Sequence, residues 1–158
     1  MGKTYNLTTV MAAFTDHSDI VCAALSTSPH PCAMKLQPDQ FNAPFINAYE
    51  SDWISVNGDK YTGALMVSSE HGCSAWSATQ FEDLQAENFQ QLLENRPELV
   101  IFGSGARLRF PRPVWLKPLM EMGIGIETMD TPAACRTYNV LASEGRRVIA
   151  ALLPPNAQ

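Results

Sequence analysis

No apolar run in this 158-residue chain approaches the ~18 to 20 residues of a membrane-spanning helix, which excludes that class. Its four cysteines, Cys22, Cys32, Cys73 and Cys135, include no CxxC pair. That spacing suits neither a zinc ribbon nor a disulfide scaffold, and it leads us to expect a reducing, cytoplasmic setting. Histidine is scarce, at three residues, and residues 34–158 hold only His71. His17, Cys22, His30 and Cys32 match no metal-ligand spacing, so no metal is expected. With a net charge of −5 and a pI near 5.1, the chain lacks the broad basic face that backbone neutralisation of nucleic acid demands. An RNA binder would also need a stacking aromatic platform among basic residues, and none is apparent.

What is present points to one ordinary domain. Apolar residues make up 46% of the chain and charged residues 17%, a balance that supports a packed core without staples. Residues 1–33 stand apart, with three charges, many Ser, Thr and Ala, and the ending "STSPHPCA". They match no secretory, transit or myristoylation signal. We read them as a disordered tail or an over-extended start, and residues 34–158 as a single α/β domain. Charge divides unevenly along it: residues 37–104 hold ten acids against two bases, residues 107–147 seven bases against four acids.

The element pattern starts with two apolar runs around Asn57-Gly58 in residues 53–67, which predict a hairpin. A third strand is expected over residues 73–78 and a helix over 86–95, ending before Pro97. "ELVIF" then reads as a strand covered on both faces. "PVWLKPLMEMG" reads as a helix with Pro118 setting a kink or a late start, and "IGIETM" as a second buried strand. "TPAACRTYNVLASEG" is a helix with Thr131 as N-cap, Pro132 at the first helical position and Gly145 as its stop. "RRVIAALLPP" supplies the last strand. Such alternation predicts a small three-layer α/β/α domain with a mixed, mainly parallel sheet.

Ligands of open α/β sheets gather beyond the carboxyl ends of the strands. Two loops meet that description. In "VIFGSGARLRFPRP", Leu108 stands where a dinucleotide fingerprint needs its third glycine, and no Gly-Lys-Ser/Thr completes a phosphate loop. Gly103, Ser104 and Gly105 can still turn tightly and expose amides, and Arg107, Arg109 and Arg112 offer guanidinium forks for a carboxylate or phosphate. The bland alternative is a sharp strand exit followed by a solvated basic loop. The second loop supplies Asp130 and Thr131, residues that also serve as caps. On the helix beyond, Ala134, Tyr138 and Leu141 form a core stripe opposite a polar face of Arg136, Asn139 and Ser143. Cys135 lies in the first turn, where the helix dipole is expected to lower its thiol pKa. A Cys-His catalytic pair is not expected, because His71 lies in a distant loop.

The turn at residues 103–105, the arginine and proline after it, the "MDT" step at residues 129–131 and the run "ACRTYNVLASEGR" at 134–146 together resemble the Mth-like domain family. That is a group of small proteins of unknown biochemical activity that includes a mitochondrial respiratory complex I assembly factor. The resemblance covers residues 34–155 and implies a small α/β/α fold with a mixed sheet and no established reaction. Residues 1–33 share nothing with it.

Together these readings lead us to expect a non-catalytic binding or assembly protein without a cofactor. A protein partner would dock at a crevice lined by Gly103, Ser104, Gly105, Arg107, Arg109, Arg112, Asp130, Thr131 and Arg136. The alternative is a small enzyme or ligand-binding domain that holds a phosphorylated or carboxylated metabolite, a small anionic ligand, in the same place.

Overall fold

A computed structural model describes residues 43–156; the expected tail at residues 1–33, with His17, Cys22, His30 and Cys32, lies outside them. The chain first forms a three-stranded antiparallel sheet of β1 (Ile46–Tyr49), β2 (Trp53–Val56) and β3 (Asp59–Thr62). The hairpin expected over residues 53–67 holds only as far as Thr62, as the β2–β3 pair, with Asn57 and Gly58 both at positive φ, 53° and 96°, between Val56 and Asp59; Leu65–Val67 belong to the other sheet. A two-residue turn with both centres left-handed matches the natural twist of the flanking strands.

The chain then passes into a five-stranded sheet. Its strands are β4 (Leu65–Ser68), β5 (Gly72–Ala75), β6 (Leu99–Gly103), β7 (Gly125–Met129) and β8 (Val148–Leu152), in the order β5-β4-β8-β6-β7. Three helices accompany it: α1 (Ala86–Gln90), which tightens into a 3-10 turn over Gln91–Asn95, α2 (Pro113–Glu121) and α3 (Thr131–Ser143). The class is therefore mixed α/β, as expected.

The mainly parallel sheet is a correction. β8, β6 and β7 run parallel, but β4 lies antiparallel to both β5 and β8. The reason is connectivity: a parallel neighbour needs a long crossover, and only residues 69–71 separate β4 from β5. One face of the sheet also departs from a purely helical cover, since α3 shares its hydrophobic cluster with Ile46, Ile54 and Val56 of the first sheet. The expected third strand stops at Ala75 because Trp76 turns into the core, where its indole Nε1 donates to the Asn88 carbonyl at 3.0 Å. Pro118 does not delay its helix, which runs from Pro113 to Glu121 with the proline inside it.

Strict alternation along the central strands builds two cores. Val148, Ala150 and Leu152 of β8, with Ile101 of β6, face α3 and Tyr138. Ile149, Ala151 and Leu153, with Val100 and Phe102, face Trp76, Phe89, Leu92 and Leu119. Successive residues of a strand point to opposite faces, so a strand buried on both sides reads as one continuous apolar run. On the α3 side, the Asn139 side chain accepts from the Ile46 N–H and donates to the Ile46 carbonyl, both at 2.9 Å.

Candidate functional site

β6 and β8 lie side by side in the middle of the sheet, and their carboxyl ends meet the start of α3. Gly103 closes β6 where no side chain fits. A Cβ there would fall 2.9 Å from Leu152 Cδ2, 2.9 Å from Thr131 Oγ1 and 3.2 Å from Ala134 Cβ. Gly105 is buried at φ 100°, a backbone setting that suits glycine. Both glycines are thus demanded by close approach and by turn geometry.

Between them Ser104 is fully buried. Its Oγ lies 2.8 Å from the Arg107 carbonyl and 2.9 Å from the Met129 carbonyl, to which it can donate, and it accepts from the Arg109 N–H at 3.0 Å. Its own N–H donates to the Met129 carbonyl at 2.9 Å. Thr131 is the second buried anchor. Its Oγ1 donates to the Leu153 carbonyl at 2.6 Å and accepts from the Gly105 N–H at 3.0 Å, while its N–H donates to the Gly105 carbonyl at 2.8 Å. The N-cap of α3 is Asp130, which accepts from the Ala133 N–H at 2.7 Å; Thr131 is not the cap, because it already lies inside the helix.

This network ties the 103–105 turn to the ends of β7 and β8 and to α3. It also engages the amides that a phosphate cradle would use, those of Ser104, Gly105, Arg109, Thr131, Ala133 and Ala134. The turn is a clasp built from internal hydrogen bonds.

The arginines separate. Arg109 folds back: its Nε and Nη2 donate to the Ser104 carbonyl at 3.2 and 2.8 Å, its Nη1 pairs with Glu82 at 3.1 Å, and its guanidinium lies 4.4 Å from the centre of the Phe81 ring. Its side chain is only 25% exposed. Arg107 and Arg112 are exposed, the latter 5.3 Å from the Trp115 ring centre. Arg136 is not part of this group; its Nη1 donates to the Tyr49 hydroxyl of β1 at 3.0 Å. The polar helix face of Arg136 and Asn139 therefore clasps the first sheet.

Sequence reasoning missed the apolar members of the loop. Leu108 is 50% exposed, Phe110 72% and Val114, at the start of α2, 64%. The signal was present in "RLRFPRP": its arginines and apolar residues alternate as in a strand, but Pro111 and Pro113 deny it ladder hydrogen bonds. Apolar side chains in such a segment have no sheet face to bury.

Two outcomes follow from these positions. Arg109→Ala should lower stability by about 1 to 3 kcal/mol, the range for a charge-assisted hydrogen bond to a partly buried carbonyl, whereas Arg107→Ala should stay within about 0.5 kcal/mol. Urea unfolding midpoints of the two variants check this. Cys135 faces the α3 core, and burial pushes its thiol up to about 12 despite the nearby Arg136 charge, which acts to lower it. Burial therefore overrides the helix dipole, and the expected lowering is corrected. Because the unfolded thiol ionises near its ordinary value of 9.0 while the folded one holds its proton, the contribution of this group to stability is whole below pH 9 and is lost as pH rises towards 12. Iodoacetamide labelling read by mass spectrometry should accordingly modify half-buried Cys73 well before Cys135 in the folded protein. Among the described residues, no group of three or more His, Cys, Asp or Glu side chains is placed to hold a metal, and no helix is long and apolar enough to cross a membrane.

The family model described as "Protein of unknown function (DUF498/DUF598)" matches residues 46–153. A relative from Bos taurus, named NADH dehydrogenase (ubiquinone) 1 alpha subcomplex assembly factor 3, is 37% identical over 76% of this chain. The match spans 66% of that relative's length, so the chain covers slightly less than two thirds of it. A crystal structure of a Bordetella parapertussis protein is 38% identical, with a TM-score of 0.67 over 71% of this chain and 96% of that one. A solution structure of a Bordetella pertussis protein, described as a Mth938-like domain, is 32% identical, with a TM-score of 0.65 over 73% of this chain and 88% of that one.

Proposed function

We propose, for a chain that belongs to the DUF498/DUF598 family of unknown function, that it is a non-catalytic binding or assembly protein whose protein partner docks on the 103–113 loop beside the start of α3. One observation carries this reading. A surface loop that displays Leu108 and Phe110 to solvent is at the same time fastened at its base by Ser104 and Arg109. Exposed apolar side chains on a fastened loop lose little conformational freedom on binding, which is the condition under which a small patch dominates an interface. The assembly-factor name of the bovine relative supports the same class of role.

The clasp residues Gly103, Ser104, Gly105, Asp130 and Thr131 then serve to position the docking residues in place of lining an open crevice, since all but Asp130 are buried, and contact falls to Arg107, Leu108, Phe110, Arg112 and Val114. Arg109 and Arg136 hold structure. The tail at residues 1–33 is dispensable for docking, and a reducing, cytoplasmic setting belongs to the same proposal. The alternative, a small enzyme or binding domain for a phosphorylated or carboxylated metabolite, has fewer free donors because the clasp engages its amides.

Recovery of partners from native extract tests the reading, with wild type, the chain shortened to begin at Met34, Leu108→Ser/Phe110→Ser and Arg107→Glu/Arg112→Glu compared at equal folding. Both double variants should lose the partner that the wild type and the shortened chain retain. Equal recovery by the folded Leu108→Ser/Phe110→Ser variant would remove the loop from consideration. A thermal-shift screen of anionic metabolites tests the alternative, since a ligand at a hundredfold its dissociation constant adds about 2.7 kcal/mol.

A further inference from the structure

We infer that the occupant of this surface is a short protein segment that sets large apolar side chains between carboxylates. The inference rests on the docking reading and adds the chemistry of the partner. The apolar half follows from Leu108, Phe110 and Val114, all at least half exposed within seven residues of chain. Three exposed apolar side chains are too few for an obligate subunit interface and fit a short linear segment.

The acidic half follows from charge. No acid occurs between Glu98 and Glu121, whereas that interval holds Arg107, Arg109, Arg112 and Lys117. Arg109 pairs with Glu82 and Lys117 with Glu121. Arg107 and Arg112 take part in none of the ion pairs among the described residues, and both are exposed in the same 107–114 stretch as the apolar residues. Two carboxylates flanking an apolar anchor would complement them.

Charge also sorts the other occupants. A second copy of this chain, meeting the first through the same patch about a two-fold axis, would set Arg107 and Arg112 against their own kind. An anionic bilayer acts on every charge within a screening length of ~10 Å, and this chain carries a net −5 whose acids include Glu82 at the base of the loop. A continuous negative surface would repel the body while it attracted the loop. A discrete acidic segment avoids that conflict.

The test selects binders from a random peptide library displayed on phage against the full chain, then measures the synthetic consensus peptide by fluorescence anisotropy. The expected consensus combines aromatic or branched aliphatic residues with Asp or Glu. Its binding should fall at least tenfold for Phe110→Ser and at least tenfold for Arg107→Glu/Arg112→Glu, and should weaken as salt rises, with unfolding midpoints unchanged. Peptides that need Phe110 but carry no excess of carboxylates would overturn this inference and leave the docking reading standing. Peptides that bind all variants equally, or an empty selection, would overturn both. Co-sedimentation with phosphatidylcholine vesicles containing phosphatidylserine provides the third arm: binding lost in Phe110→Ser would assign the patch to lipid and refute the peptide inference.

Discussion

Gly103→Val should destabilise the protein by about 3 kcal/mol or more, at the upper end of what overpacking a tight site costs. The site has no slack on three sides: Leu152 of β8, Thr131 at the start of α3 and Ala134 one turn further on all lie within 3.2 Å of the place a Cβ would occupy. Leu152 can swing its terminal methyl aside, but Ala134 moves only with its helix. The substitution therefore forces α3 off the sheet or β6 out of register, and either movement disturbs the buried Ile101, Ala150 and Tyr138. Gly125→Ala serves as the comparison. Gly125 is exposed and a Cβ there would meet Leu99 Cδ1 at 3.2 Å, the end of a flexible side chain, so a small change is expected. Urea midpoints at constant slope would give both values. A Gly103→Val protein within 1 kcal/mol of wild type would mean that α3 packs less closely than the structure describes.

Thr131→Val tests the clasp without changing its shape. The oxygen it removes is a donor to the Leu153 carbonyl and an acceptor from the Gly105 N–H, and Thr131 has no exposed surface. Stranding a buried group costs about 1 to 3 kcal/mol, so two stranded groups should lower stability by about 3 kcal/mol. Thr131→Ser keeps the oxygen and loses one methyl, for which about 1 kcal/mol is expected. Hydrogen exchange at the Gly105 amide should accelerate in the valine variant beyond the global change. If valine and serine behave alike, the hydroxyl is not the fastener.

How far the sequence could be read depended on how local each cause was. β6, β8 and α3 carry their instructions in their own residues: continuous apolar runs, and Pro132 in the first turn of α3 with Gly145 past its end, although the cap falls on Asp130 and not on Thr131. The Asn57-Gly58 turn is equally self-contained. The direction of β4 was not legible in this way, because it is set by which strand it joins and by a three-residue link, not by its composition. The candidate site shows the same divide. Gly103 and Gly105 announced a constrained turn, but the hydrogen-bond partners that hold it, Thr131 and Leu153, lie 26 or more positions away. Arg109 looked like its neighbours until Phe81, Glu82 and the Ser104 carbonyl came to meet it. For Cys135 the local influence, a helix start, pointed down, and the surrounding core pointed up and prevailed.

The side chain of Asn139 presents Ile46 with one N–H and one carbonyl oxygen, the same pair that a neighbouring strand would offer. A helix thus ends a sheet by counterfeiting one residue of β-structure. An open β1 edge would be a template on which another chain could add a strand and begin to aggregate. Here that edge is occupied at Ile46, its most apolar position, by the Asn139 amide.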